Sequence, residues 1–324
     1  MRHVIIWNPT AGKENAAKNL LPSLQAAFDK QAIPVEMLQT GHPGHARELA
    51  QDLAKSRAPI RFYACGGDGT LNEVLHGAYP YPNAQVACVP CGSGNDFLRN
   101  FGTQEEFLQL DDLIAGTAVP IDLIQVNEDQ IAASICSAGL DAKVAYGIPK
   151  FRRIPLCGGS AAYNLSIVQC LLKPLGSVLS LTIDGKEHLH GNYLLACIGN
   201  GRYYGGGYCG APTAQLDDGL LELILIRKVS RFKIASLLSC YKRGEHFQGG
   251  KIAPQLEQYF QHAQFHHLTI QSAHPFIYNV DGECAPTTHL ELQILPKAAE
   301  FVLPSKVYLR YQTQKAASAK TQLV

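Results

Sequence analysis

The sequence predicts two domains: an N-terminal α/β domain with a doubly wound, mostly parallel sheet, and a C-terminal antiparallel β-sandwich. Three observations predict it. The first 125 residues alternate strand-like and helix-like periods, the texture of parallel strands joined by crossover helices. After about Asn127 short β-like runs recur between turn signals. The chain has 324 residues, long for one hydrophobic core and comfortable for two. The expected division is 1–125 and 126–296, with 297–315 available to return to the first domain.

Strands are expected at His3–Trp7, Val35–Gln39, Ile60–Cys65, Gln85–Val89 and Pro120–Val126. Between them lie helical patterns at Asn15–Gln31, Gly44–Ser56, Leu71–Ala78, Asp96–Asn100 and Glu105–Ala115. In the second domain the β-like runs are Gln130–Cys136, Leu179–Ile183, Asn192–Gly199, Leu220–Arg227, His267–Gln271, Phe276–Val280 and His289–Leu295. Asp184-Gly185, Asp218-Gly219 and Asp281-Gly282 are turn signals, because both residue types tolerate positive φ. Helical insertions are expected near Ser160–Leu172 and Arg231–Tyr241. The polar tail from Gln312 is expected to fray.

Hydrophobic residues make up 46% and charged residues 17%, a globular balance, and the net charge of +1 supplies no global attraction for nucleic acid. Of the ten cysteines, Cys65, Cys88 and Cys91 sit in or beside apolar runs. They read as reduced core residues rather than disulfides or zinc ligands. The N-terminus enters a strand directly with no signal-type apolar region. The longest apolar stretches fall short of the ~20 residues that span a bilayer. A cytoplasmic protein that meets lipid transiently at a membrane surface is therefore expected, with no transmembrane segment, and a homodimer is compatible with the sequence.

The strongest local signal is Cys65-Gly66-Gly67-Asp68-Gly69-Thr70-Leu71-Asn72-Glu73. An apolar strand runs into glycines that open a helix, a geometry that turns backbone N–H groups and a helix N-terminus toward an anion. Thr70 is placed to cap that helix or bond phosphate. Val89-Pro90-Cys91-Gly92-Ser93-Gly94-Asn95-Asp96-Phe97 repeats the arrangement after the next strand. Asn8-Pro9-Thr10-Ala11-Gly12-Lys13 is a third loop, at the end of the first strand. Walker A spacing is missing, and Asn72 stands where a dinucleotide fingerprint needs its third glycine, so an NAD-dependent oxidoreductase is disfavoured.

These blocks resemble the catalytic domain of the diacylglycerol kinase and sphingosine kinase superfamily, nearest its soluble bacterial lipid kinases. The resemblance continues through Asn200, Gly205-Gly206-Gly207, Ala211-Pro212, Asp217-Asp218-Gly219-Leu220 and Asp281-Gly282-Glu283. It implies an ATP- and Mg²⁺-dependent transfer of phosphate to the hydroxyl of a lipid such as diacylglycerol. Glu283 is then the general base, with Asp68, Asp96 and Asp122 around the catalytic magnesium. Asn8, Pro9, Gly12, Thr40, Gly66, Gly67, Asp68, Gly69, Thr70, Leu71, Asn72 and Ser93 are the implied nucleotide contacts. A second, structural magnesium would be held by Gln215, Asp218 and Leu220. Gln215 departs from relatives with a carboxylate there, which weakens the site, since hard cations prefer charged oxygen; Asp217 stands beside it. Lys150, Arg152 and Arg153 flank Phe151 and Ile154, a basic loop suited either to solvent or to anionic headgroups.

Taken alone, Asp281-Gly282 reads as a hairpin turn, and Asp122 equally as a buried capping aspartate. Two rival functions share the glycine loop: an NAD-kinase-like small-molecule kinase, and a lipid or nucleotide sensor without catalysis. The second glycine loop and the retained acids favour the lipid kinase.

Overall fold

The computed structural model describes residues 1–12, 15–92, 94–152 and 160–321. Ser93, Arg153 and Ile154 lie outside them. The chain forms two compact units, Met1–Ile121 with Lys297–Val324, and Asp122–Pro296. Among the described residues no helix is long and apolar enough to cross a membrane.

The first unit is built on parallel strands β1 (Arg2–Trp7), β2 (Val35–Gln39), β3 (Ile60–Gly66) and β4 (Ala84–Pro90). β1 pairs with β2 and β3, and β3 with β4, giving the order β2-β1-β3-β4. Glu300 and Phe301 of the returning segment pair parallel to β4. All seven residues of β3 are buried, as a sheet covered on both faces requires. The covering helices are α1 (Ala16–Lys30), α2 (His45–Ala54), α3 (Asp68–Ala78), α4 (Gln104–Phe107) and α5 (Leu110–Ile114). Helix α2 buries Ala46, Ala50 and Ala54, one stripe of small residues. Against α2 lies Gly77, where an added Cβ would stand 2.3 Å from the Arg47 carbonyl oxygen. Small side chains on both helices let α2 sit close on α3.

Two expectations change here. The helix expected over Glu105–Ala115 is split into α4 and α5, because Thr103 and Glu106 form a capping box that starts a separate short helix. The tail expected to fray from Gln312 is instead part of helix α9 (Ser305–Thr321). Arg310 anchors it through Glu106 at 2.6 Å and the Phe101 carbonyl at 2.9 Å, and Val307 is buried.

The second unit begins within β5 (Thr117–Val126) and continues through β6 (Gln130–Ala132), β7 (Ile135–Gly139), β8 (Ser177–Ile183) and β9 (Glu187–Gly199). It is completed by β12 (Leu221–Arg227), β15 (Phe260–Phe265), β16 (His267–Val280) and β17 (Glu283–Leu303). Two short hairpins pair β10 (Tyr203–Tyr204) with β11 (Tyr208–Cys209) and β13 (Phe247–Gln248) with β14 (Lys251–Ile252). The long strands change partner along their length. The first half of β9 pairs with β8 and its second half with β7 and β12; β16 likewise pairs first with β8 and then with β7. The change of partner in β16 falls at a register shift between Gln271 and Phe276, and the two expected strands His267–Gln271 and Phe276–Val280 are one.

Alternating residues such as Leu179, Leu181 and Ile183 face Leu268, Ile270, Leu290 and Leu292 in the sandwich core. A second apolar cluster packs α8 (Arg231–Arg243), through Ile234, Leu237 and Tyr241, on the outer face of β9 and β12. Helices α6 (Leu140–Arg152) and α7 (Ser160–Leu172) pack on each other.

Candidate active site

In the first unit, Asn8, Thr40, Gly66 and Pro90 all end parallel strands at their carboxyl side. The order β2-β1-β3-β4 reverses direction between β1 and β3, the switch point at which open α/β sheets bind ligands. Asn8 sits there. Its N–H donates to the Cys65 carbonyl at 3.1 Å, and its amide Nδ2 donates to Thr70 Oγ1 at 3.4 Å. Asn8 Oδ1 accepts both the N–H and the hydroxyl of Thr10 at 2.9 Å, which closes the Asn8–Gly12 loop after Pro9. Thr40 is buried, its N–H bonded to the Trp7 carbonyl at 3.0 Å.

The two glycine loops touch. A Cβ on Gly92 would lie 2.6 Å from Gly67 Cα, so Gly92 has no room for a side chain on that side. Cys91 N–H and Asn95 Nδ2 both donate to the Gly66 carbonyl, at 2.9 and 3.2 Å, and Asn95 Oδ1 accepts from Gly92 N–H at 3.0 Å. A fully buried Asn95 therefore ties the two loops into one surface. Their acids converge on Gly94, where an added Cβ would be 2.8 Å from Asp68 Oδ2 and 3.8 Å from Asp96 Oδ2. Asp68 Oδ1 accepts from Phe97 N–H at 3.4 Å, and Asp96 Oδ1 accepts from Arg99 Nε at 3.0 Å. Burial first, and then the nearby Asp68 carboxylate, push the Cys88 thiol well above its ordinary range.

Helix α3 begins at Asp68, three residues earlier than the pattern predicts, so Thr70 lies inside its first turn rather than capping it. The Gly67 N-cap makes no side-chain cap. The first turn of N–H groups, at Asp68, Gly69 and Thr70, precedes any intrahelical acceptor and offers an anion site. Nothing lies within 4 Å of where a Gly69 Cβ would stand. Leu71 is different: its side chain is buried and its N–H donates to the Gly67 carbonyl at 3.1 Å. Asn72 is half-buried on the same helix.

Glu73, noted in the sequence only as part of the motif, has a defined position. Its carboxylate accepts from Gly44 N–H at 2.9 Å and Ala46 N–H at 3.1 Å, capping α2 from α3. The helix carrying the phosphate-type loop thus holds the start of the helix that follows Thr40. A contact so remote in sequence carries no local signature.

In the second unit, Asp122 is fully buried. It accepts from Gly219 N–H through Oδ2 at 2.7 Å and donates its own N–H to the Leu216 carbonyl at 2.6 Å. It braces the 216–219 loop, the capping role open to it from sequence. Asn200, also fully buried, donates to the Asp122 carbonyl at 2.7 Å and the Ala133 carbonyl at 2.9 Å. Asp218 Oδ1 accepts from Leu220 N–H at 3.0 Å, while Gln215 is exposed. Burial, and then the carboxylates of Asp122, Glu222 and Asp217, push Asp218 up.

The carboxylates, the neutral amide and the backbone carbonyls of this stretch offer only oxygen donors, the chemistry that suits a hard divalent cation. The buried Asn200 Oδ1, beside Asp122, has no hydrogen-bond partner among the described residues, so polar capacity is to spare. The residues fit magnesium.

Glu283 opens β17 directly after the Asp281-Gly282 hairpin, in which both residues have positive φ, 44° and 109°. The turn is more than a solvated hairpin. Asp281 accepts from Ala133, Ser134 and Ile135 N–H at 2.6, 3.2 and 2.9 Å, and its N–H returns to the Ile135 carbonyl at 3.1 Å. Three successive amides thus hold the turn that presents the exposed Glu283.

Residues 2–126 match the diacylglycerol kinase catalytic domain, and residues 134–303 match the YegS C-terminal NAD kinase β-sandwich-like domain. A diacylglycerol kinase of Bacillus subtilis is 28% identical over 305 residues, covering 93% of this chain and 96% of its own. A "Probable lipid kinase YegS-like" protein of Shewanella frigidimarina is 32% identical over 247 residues, 74% of this chain and 75% of its own. The crystal structure of a diacylglycerol kinase from Bacillus anthracis superposes with a TM-score of 0.67 at 22% identity, covering 94% and 98%, a shared fold. The chain belongs to this two-domain lipid kinase family, as its glycine loops and acids imply.

Proposed function

We propose that the chain transfers the γ-phosphoryl group of ATP to the hydroxyl of a lipid, with diacylglycerol the first candidate acceptor. The observation that carries this reading is the fused pair of glycine loops, whose acids meet around Gly94, with the N-terminus of α3 opening at Asp68. Phosphoryl transfer is mainly positioning and charge stabilisation, and such a surface supplies both. The diacylglycerol kinase name of the Bacillus subtilis relative supports the choice of acceptor.

In this reading Asn8, Pro9, Gly12 and Thr40 border the nucleotide, and the amides of Gly66, Gly67, Gly69 and Thr70 face its phosphates. Asn72, together with Ser93 outside the described residues, completes the contacts. Asp68 and Asp96 orient the phosphate end, Asp122 acts by bracing the 216–219 loop, and Glu283 accepts the proton of the attacking hydroxyl, a contribution of ~10²–10⁴-fold. Gln215, Asp218 and the Leu220 carbonyl would hold magnesium. The catalytic magnesium, distinct from this structural one, would supply charge neutralisation for the phosphate groups.

The test is label transfer from radiolabelled ATP into a panel of lipids and into NAD, with Glu283→Gln and a magnesium-free control in parallel. Labelled lipid that disappears in the variant and without magnesium is the expected result. Labelled NAD would replace the reading with the small-molecule kinase. ATP and lipid binding without turnover would replace it with a sensor.

A further inference from the structure

A cysteine precedes each of the two glycine loops, and the two sulfurs meet. Cys65 is next to last in β3, and Cys91 is the first residue beyond β4. The strands run parallel with Cys65 opposite Val89. Side chains alternate between the faces of a strand, so Cys91, two residues past Val89, returns to the face of Cys65. Both are free thiols, with their Sγ atoms 3.4 Å apart. Cys88 is nearer in sequence, in Cys88-Val89-Pro90-Cys91, but β4 holds that stretch extended through Pro90 and turns Cys88 to the other face.

The pair is asymmetric. Cys65 is fully buried between β1 and β4, and its carbonyl accepts the Asn8 N–H at 3.1 Å. Cys91 is 8% exposed, so a small solute reaches it first. The hydrogen bond from Cys65 pulls the Cys91 thiol below its ordinary range, against the opposing effect of burial. The thiolate is the form that oxidants attack. Closing the contact to the ~2.0 Å of a disulfide brings the sulfurs together by about 1.4 Å. That movement falls on Cys91, because Cys65 is fixed inside the sheet whereas β4 has ended.

Cys91 stands where three loops join. Its N–H donates to the Gly66 carbonyl at 2.9 Å, and its carbonyl oxygen lies 2.2 Å from where a Gly12 Cβ would stand. Gly92, the next residue, lies against Gly67. Displacing Cys91 therefore disturbs all three loops at once.

We propose that Cys65 and Cys91 are an oxidative modification site for peroxides, closing to a reversible disulfide that distorts the glycine loops and lowers turnover. The bond stands apart from the lipid-kinase reading; its effect on turnover rests on that reading. The Cys91 thiolate attacks one peroxide oxygen: the S–O bond forms, the O–O bond breaks, and the departing hydroxide takes up the proton Cys91 had released. Cys65 then attacks the Cys91 sulfur: the S–S bond forms, the S–O bond breaks, and hydroxide leaves with the Cys65 proton as water. Two thiols lose two electrons and two protons, and hydrogen peroxide becomes two waters. A dithiol reverses the bond by exchange and is itself oxidised to a disulfide.

The test exposes the full chain to hydrogen peroxide, alkylates the remaining thiols, and cleaves after Glu73 in denaturant, which puts Cys65 and Cys91 on separate peptides. Mass spectrometry should find the two peptides joined, and separate when dithiothreitol precedes alkylation. Cys65→Ala and Cys91→Ala should each abolish the joined species, and Cys88→Ala should retain it. Turnover should fall at least about tenfold as the joined species accumulates, and dithiothreitol should restore it. Cys65→Ala should keep the turnover of the reduced parent and resist peroxide.

Peptides that stay separate in the oxidised parent, with Cys91 carried on to the sulfinic acid, would overturn the proposal. So would a joined species that survives in Cys65→Ala, or one that forms fully while turnover holds. A joined species in a chain that phosphorylates no lipid when reduced would keep the modification site and sink the kinase reading. Turnover with no joined species would do the reverse.

Discussion

Two glycine-to-alanine substitutions separate the packing role of the loops from their ligand role. At Gly92 the new methyl would stand 2.6 Å from Gly67 Cα and 3.2 Å from the Asn95 Oδ1 that accepts the Gly92 N–H. Both obstacles are held firmly, one being backbone and the other a fully buried side chain. The loops must part by the better part of an ångström, and overpacking of this kind costs about 1–3 kcal/mol. At Gly69 no heavy atom lies within 4 Å of the new methyl, and the residue sits in the first turn of α3 without a positive φ. Alanine is favoured over glycine inside a helix by up to about 1 kcal/mol. Gly69→Ala should therefore leave stability unchanged or raise it slightly, while Gly92→Ala lowers it.

The ligand readout runs the other way. If the open side of Gly69 is where phosphate approaches, its methyl should weaken binding of a non-hydrolysable ATP analogue by roughly tenfold or more, the equivalent of ~1.4 kcal/mol. Urea unfolding supplies the stability of each variant, and titration calorimetry the affinity. A stable Gly69→Ala protein with parent affinity would refute the placement of phosphate at the α3 N-terminus. A Gly92→Ala protein as stable as the parent would refute the rigid contact between the loops.

Three further outcomes follow from the hydrogen bonding and burial. Asp281→Ala leaves three backbone amides without their carboxylate and puts alanine at a φ of 44°, so urea unfolding should show a loss of about 3–5 kcal/mol. Asp281→Asn, which keeps one acceptor oxygen and tolerates that φ, should lose clearly less; equal losses would mean the carboxylate is not what holds the turn. Glu73→Ala uncaps α2 at Gly44 and Ala46, and should raise the KM for ATP about five- to tenfold while kcat changes little. An unchanged KM with lowered stability would make Glu73 purely structural.

His246 is fully buried, and burial lowers its pKa from the ordinary 6.5 to about 4. The unfolded chain binds this proton more readily between those values, so the contribution is present above pH ~6.5 and lost as pH falls toward ~4. It amounts to at most about 3 kcal/mol. His246→Gln should flatten that part of the stability–pH curve, and an unaltered slope would exclude His246 as its source.

Loops and strands were legible in the sequence because each depends on near neighbours. β1 through β4 follow from short apolar runs bounded by turns, and the glycine loops from residues packed into one strand-to-helix corner. The α7 boundaries Ser160–Leu172 and the turn at Asp281-Gly282 were equally local. Elements without a strong period were missed: β15, α6 and the helical tail α9, whose Arg310 depends on Glu106, roughly two hundred residues earlier. What only the tertiary structure decided is which polar groups meet. Thr70 lies within α3 rather than capping it, Glu73 caps a different helix, Asp122 braces the 216–219 loop, and Asp281 is gripped by amides nearly 150 residues away. Local sequence sets backbone preference through sterics acting over a few residues. Partners for buried polar groups are chosen only when distant segments leave water together and every donor must find an acceptor.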